Sequence, residues 1–305
     1  MKSGRALLFA GPARRLLVAV VLLSVFTATA AEVRLTDDAG RMVVLKEPAR
    51  RIISLTPHLT ELVFAAGAGE RLVGAVDYSD FPARAKAIPR IGDSAQLDLE
   101  RIVVLKPDLI LVWRHGNGER QLERLLQLGI PAYYNEPRHL PDIARSIEQI
   151  GALAGTAEAA SSAARAFRAR ESDLARRYSA RAPVRVFYQL WERPLMTVNG
   201  EHSISDLMRL CGARNVFADL KPLVPRVSTE AVLAADPELI LGATAEMNAR
   251  GDLDNWRAWT RVTAVARDNL VVIHTDLLNR ATPRILDGAE QLCEGVERAR
   301  TRRPR

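Results

Sequence analysis

Residues 100–112 read ERIVVLKPDLILV, and residues 230–242 read EAVLAADPELILG. The two stretches share Glu, Pro, Leu, Ile and Leu at five of thirteen positions, and most other positions keep their polarity. They lie 130 residues apart in a chain of 305. Each copy carries its own start and stop signals. Asp98 and Ser228 are good N-cap residues, and Glu100 and Glu230 fall in the first helical turn that follows. Lys106-Pro107 and Asp236-Pro237 end each helix, because the residue before a proline is pushed out of the helical region. The next runs, DLILVW and ELILGA, are short and continuously apolar, as in a parallel strand buried on both faces. Each copy therefore reads as helix, turn and strand of a parallel α/β sheet.

The segments upstream of the two copies correspond as well. Residues 51–76 read as strand, loop, a helix ending near Gly67, and strand; residues 184–217 repeat that order with a longer insertion and a helix ending near Gly212. The halves read as one α/β lobe used twice, and a duplicated lobe predicts two cores. Between them, TAEAASSAARAFRARESDLARR (156–177) is rich in strong helix formers and predicts one helix from Thr156 to about Arg177. At 1.5 Å per residue such a rod is about 33 Å long, and its composition is the opposite of a Gly/Ser linker. The division expected is a leader over 1–31, an N-terminal lobe over 32–140, a helical connector over 141–182 and a C-terminal lobe over 183–305. The last helix is expected to start with Thr282 as N-cap and Pro283 at its first position. It places Ile285, Ala289, Leu292, Cys293 and Val296 on one inward face.

The leader is read from a basic MKSGRALLFAGPARR, an apolar LLVAVVLLSVF and small residues at TATAAE. Its apolar run is too short to span a bilayer, which needs about twenty residues, so a soluble exported product is expected. Losing Lys2, Arg5, Arg14 and Arg15 with the leader takes the formal charge from +7 to +3. Setting aside Arg298, Arg300, Arg302, Arg303 and Arg305 as well leaves a body of −2. The basic balance thus sits at the two ends and gives no footprint for nucleic acid. Cys211 and Cys293 are an even pair in a chain bound for an oxidising compartment, which favours a disulfide between the last helix and the helix ending near Gly212.

In parallel α/β sheets, ligands bind at the carboxyl ends of the strands. Here Tyr78 follows the strand RLVGAVD, Trp113 follows DLILV, Trp191 follows VFYQL, and Asp276 and Arg280 follow LVVIHT. Aromatic and charged groups on four strand ends suit a large, flat, amphipathic ligand. The five histidines stand on separate segments without helical pairing; His58 is the best-placed single metal ligand, and a loop or cap role fits it better. No nucleotide loop, nucleophile elbow or HExxH motif is present, and GAGERLVG (67–74) follows a helix rather than a strand, so no enzyme is expected.

Several stretches together, YSDFP (78–82), DLERIVVLKPDLILVWRHGNGERQ (98–121), CGARNVF (211–217), VSTEAVLA (227–234) and RATPRILDGAEQLC (280–293), resemble the helical-backbone periplasmic receptors of ABC importers, specifically the cobalamin-binding branch. The likeness runs from about Arg50 to Val296. It implies two Rossmann-like α/β lobes with central parallel sheets joined by one long rigid α-helix. It also implies a monomeric periplasmic protein without catalysis or cofactor, which binds cobalamin or a related corrinoid between the lobes and delivers it to the importer's membrane subunits. Relatives that take haem, ferric siderophores or metal ions supply the alternative ligands. By this resemblance Glu100 and Glu230 match the acidic residues that meet arginines of the membrane subunits, although each would also complement its own helix. Tyr78, Trp113, Asp276 and Arg280 match ligand-contacting positions. The family branch has tryptophans where this chain has Ser94 and Val224 and a phenylalanine near Met196, so three stacking groups are missing and Trp191 is a partial replacement.

Overall fold

The computed structural model describes residues 1, 32–93, 96–113, 116–117, 119–245 and 251–304. The expected leader and Ser94 lie outside the described residues. Residues Ala31–Arg305 form one compact unit.

A short antiparallel hairpin, β1 (Val33–Thr36) and β2 (Met42–Leu45), opens this unit. The first lobe follows as β3 (Ile52–Ser54), α1 (Pro57–Ala65), β4 (Leu72–Ala75), α2 (Leu99–Val104), β5 (Leu109–Val112), α3 (Glu119–Leu126) and β6 (Ala132–Tyr134). Two long helices come next, α4 (Leu140–Ala154) and α5 (Ala157–Tyr178). The second lobe is β7 (Val184–Gln189), α6 (Ser203–Leu210), β8 (Ala213–Asn215), α7 (Thr229–Ala235), β9 (Leu239–Thr244), α8 (Thr263–Ala266), β10 (Leu270–His274), α9 (Thr275–Leu278) and α10 (Ile285–Thr301). All strands of both four-stranded sheets are parallel, in the orders β4-β3-β5-β6 and β8-β7-β9-β10. The duplication therefore extends to topology: in each sheet the first strand sits between the second and the third.

The repeated motif forms as its residues dictate. The Asp98 carboxylate accepts from the Arg101 amide at 2.9 Å, and the Ser228 hydroxyl accepts from the Ala231 amide at 3.2 Å. At the other end, Arg51 donates to the Leu105 carbonyl, and Arg185 donates to the Asp236 carbonyl. Each arginine thus satisfies a carbonyl left open where the helix stops. Asp108 and Glu238, the residues after the two prolines, accept the amides of Arg51 and Arg185 at the starts of β3 and β7.

The core differs from the expected two. One continuous apolar core runs through both lobes and the connector, taking Ile52, Leu109 and Leu111 from the first sheet and Val186, Leu239 and Leu241 from the second. Each sheet's other face covers a smaller cluster of its own, around Ile53, Ile110 and Val112 in one and Phe187 and Ile240 in the other. Strand residues alternate faces, so every strand feeds both a private core and the shared one.

The rod spans Ala157–Tyr178 with Thr156 at its N-cap, as its composition predicts, and at 22 residues it is about 33 Å long. Its antiparallel partner α4 is an addition that the sequence reading did not isolate. The Asp142 carboxylate accepts from the His139 amide at its start, at 2.9 Å, and Gly155 (φ 64°) takes the left-handed cap at its end. The two helices approach closely: a Cβ at Gly151 would stand 2.2 Å from that of Ala160. Arg168 and Glu148 pair across them at 2.7 and 2.8 Å. The pair is tied to both lobes. His139 meets Asp206 of α6 at 2.9 Å, while Thr156 donates to the Ala66 carbonyl beyond α1 at 2.7 Å. Farther along, Arg170 meets Asp287 and Glu290 of α10.

Cys211 and Cys293 form the expected disulfide, 82 residues apart, and the inward face of α10 is buried as predicted. The start of α10 is a correction. Thr282 does not cap it; residues 282–284 form a preceding turn, with the Ile285 amide bonded to the Thr282 carbonyl at 3.0 Å, and Arg284 is the N-cap. The Arg284 side chain is drawn instead to a carboxylate of the other lobe. The basic end of the chain is also not a loose tail. Arg300 donates to the Gly212 and Ala182 carbonyls, Arg302 to that of Asp268, and Arg303 grips Glu238 at 2.7 and 2.9 Å.

Candidate functional site

The strand ends bring the expected groups to the side of the sheets where ligands collect. Tyr78, three residues past β4, is 78 % exposed and held at φ 62°, a left-handed conformation that a tyrosine adopts only under constraint. Trp113 immediately follows β5 and is 37 % exposed. Its amide donates to Asn117 at 3.0 Å, and Asn117 in turn donates to the Leu55 carbonyl at 2.9 Å. The buried His58 ring meets Trp113 edge to face, with centroids 5.3 Å apart.

Trp191 lies beyond β7 at the start of a tight hairpin that pairs it with Met196. Its indole N–H donates to the Arg193 carbonyl at 3.0 Å, leaving a ring that is 62 % exposed. A cavity of about 410 Å³ opens beside it, lined by Gln189, Trp191 and Glu192 from the end of β7, Thr244 from β9, and Thr275 and Asn279 from the α9 region. Met196 is half-buried behind Trp191.

Asp276 and Arg280, whose chain neighbours Thr275 and Asn279 line this cavity, bond to each other at 3.0 Å. Arg280 also reaches the first lobe, where it donates to the Tyr78 carbonyl at 3.4 Å and to Glu61 of α1 at 2.9 Å. Tyr78, Asp276 and Arg280 are thus brought together, Trp113 joins His58, and Trp191 joins Met196.

Glu61, Arg284 and Phe81 are the members that the sequence reading missed. Glu61 was signalled by a charged residue inside the apolar helix HLTELVFAA, and Arg284 by its place four residues after Arg280. Burial works against the charge on Arg284, yet hydrogen bonding to Glu61 and the carboxylates of Asp276 and Asp80 raise its pKa above the usual arginine value. His58 is pushed down to about 3 by burial and then by Arg280, so its imidazole is neutral at physiological pH. Its Nδ1 lies 3.0 Å from the Thr56 hydroxyl. Among the described residues no three metal-ligating side chains converge.

On the outer surface, Glu100 and Glu230 occupy equivalent first-turn positions of α2 and α7, and both are exposed. Glu230 is held below the usual carboxylate range by its own backbone amide and the Ser228 hydroxyl. No helix among the described residues is long and apolar enough to cross a membrane.

Residues 52–277 match the model of a family described as periplasmic binding protein. The vitamin B12-binding protein of Vibrio cholerae is 41% identical over 247 residues, spanning 81% of this chain and 88% of that protein. Its namesake in Yersinia pestis is 38% identical over 248 residues, spanning 81% and 86%. The crystal structure of the periplasmic vitamin B12 binding protein BtuF of Vibrio cholerae matches this chain with a TM-score of 0.74 and 40% identity. The match covers 83% of this chain and 98% of that one.

Proposed function

The chain belongs to the periplasmic binding protein family, and from that premise we propose that it is the periplasmic receptor of an ABC importer. It takes cobalamin or a related corrinoid between its lobes and passes it to the membrane subunits without chemical change. Residues 1–31 serve as the export leader, and the mature protein acts as a monomer. Tyr78, Trp113 and Trp191 cover the apolar faces of the ring system, Asp276 and Arg280 hydrogen-bond its amide side chains, and Glu100 and Glu230 dock the receptor.

What supports this is that Tyr78, Trp113, Trp191, Asp276 and Arg280 all follow the carboxyl ends of parallel strands, with Arg280 linking Tyr78 to Asp276, in a chain about two fifths identical to vitamin B12-binding proteins. A stacked aromatic adds about 0.5–1.5 kcal/mol beyond its buried area, so exposed rings on a rigid frame are suited to a broad planar guest. Loops fixed at both ends of a strand hold them there without a large ordering cost on binding.

Titration calorimetry with cobalamin, cobinamide, haem and a ferric siderophore tests the ligand. Stoichiometric cobalamin binding without turnover is expected. Tight binding of haem or a siderophore with none of cobalamin would overturn the ligand assignment and leave the receptor class intact.

A further inference from the structure

Glu61 is a carboxylate with a side chain only 3 % exposed, and among the described residues its side-chain partners, Arg280 and Arg284, come from the opposite lobe. Arg284 grips it with two prongs, Nε to Oε2 at 2.9 Å and Nη2 to Oε1 at 2.6 Å, while its guanidinium lies 3.9 Å above the Phe81 ring. Arg280 adds a third bond to Oε1 at 2.9 Å. The remaining end of Arg280 is held by Asp276 at 3.0 Å, with Asp80 at 3.5 Å on its other side. Two guanidinium groups thus face three carboxylates, and the cluster carries a formal charge of −1.

We infer that Glu61 and Arg284 form an interlobe latch that presents Arg280 to the ligand with its charge already balanced, so that the site selects guests with neutral amide edges and rejects those with carboxylates. This rests on the reading that Arg280 faces the ligand. A free arginine would attract a carboxylate strongly through a paired, charge-assisted contact. Here an incoming carboxylate has to displace Glu61 or Asp276 and enters a cluster that is already net negative, and like charges within a few ångströms in a partly buried site repel. An amide carbonyl accepts from the guanidinium edge without adding charge. Glu61 and Arg284 are therefore positioning residues, acting through Arg280.

The test uses pairs of ligands alike in size but not in charge: cobalamin against its derivative with one peripheral amide hydrolysed to a carboxylate, and haem against its dimethyl ester. Both pairs are titrated into the mature protein. Wild type is expected to favour the neutral member of a pair by tenfold or more. Glu61→Gln, which takes the cluster to zero, is expected to narrow that ratio at least fivefold; Asp80→Asn, at a more exposed position that folding tolerates, narrows it less. Arg284→Lys keeps the charge but loses the second prong, so it weakens both members of a pair equally and leaves the ratio alone. An unchanged ratio in both Glu61→Gln and Asp80→Asn would overturn the inference. The ratio is read on whichever pair binds, so it stands apart from the ligand assignment: loss of cobalamin binding with haem binding retained sinks the corrinoid reading, while the haem pair still decides the charge rule.

Discussion

Lys106 and Asp236 occupy the same point in the two halves of the chain, each at positive φ, 46° and 41°, directly before a proline. Neither is glycine, and a left-handed residue with a side chain costs about 1–2 kcal/mol. Each is held by its surroundings: Arg51 bonds the carbonyls of Leu105 and Lys106, and Arg185 bonds that of Asp236. The repeated bend fixes where α2 and α7 end relative to the following strands, and with it the direction in which Glu100 and Glu230 project.

The two bends respond differently to glycine. Lys106→Gly removes the steric cost and raises stability by about 0.5–1 kcal/mol in urea unfolding. Asp236→Gly is destabilising by a similar or larger amount, because the Asp236 carboxylate also accepts from the amide and hydroxyl of Thr263, both at 2.8 Å.

Charge reversal at Glu100 and Glu230 separates docking from capture. The double variant Glu100→Arg, Glu230→Arg is expected to bind ligand in solution within twofold of wild type and to lose importer-dependent uptake in cells. Each single variant loses part of it. Normal uptake by the double variant would remove the docking assignment.

Replacing both Cys211 and Cys293 by serine opens a loop closed over 82 residues. The chain-entropy model gives a loss of about 4.5 kcal/mol, read as a shift of the urea midpoint. Because the residues flanking α10 also anchor it, through Arg284 to Glu61 and Arg303 to Glu238, ligand affinity is expected to fall less than stability does.

His58 gives the protein an acid-sensitive limb. Its folded pKa lies near 3, against about 6.5 for an unfolded histidine. Between those values the unfolded chain holds the extra proton, so stability falls as the pH falls, by up to about 1.4 kcal/mol per pH unit for this residue. Above pH 6.5 its contribution is constant. His202, pushed down to about 4 by burial, adds to the same limb. His58→Gln is expected to flatten the profile below pH 6, measured as the midpoint of thermal unfolding against pH; an equally steep acid limb in the variant contradicts the assignment.

The parts of the fold that were legible in the sequence are those written locally. Caps at Asp98 and Ser228, stops at Pro107 and Pro237, and uninterrupted runs such as LILV each depend on neighbours within a few positions. The strand-end placement of Tyr78, Trp113, Trp191 and Asp276 followed directly from them. Helix α4 was harder to isolate, because its Ala-rich end runs into α5 with only Gly155 and Thr156 between. The shared core was not readable, since nothing in a strand says which layer lies beyond its two faces. The Glu61–Arg284 pair spans 223 positions and satisfies no local rule. The C-terminal arginines looked like a basic tail because most of their acceptors are main-chain carbonyls and side chains far upstream, such as those of Gly212, Asp268 and Glu238.

The doubled connector has a kinetic consequence. Because α4 and α5 are packed along their length and tied into both lobes, swinging one lobe would shear the pair and break into the common interior. On that frame the proposed recognition surface needs no closing motion to be ready for a guest. In stopped-flow mixing, a single phase is expected whose observed rate climbs in direct proportion to ligand concentration, without the plateau that a slow closing step imposes.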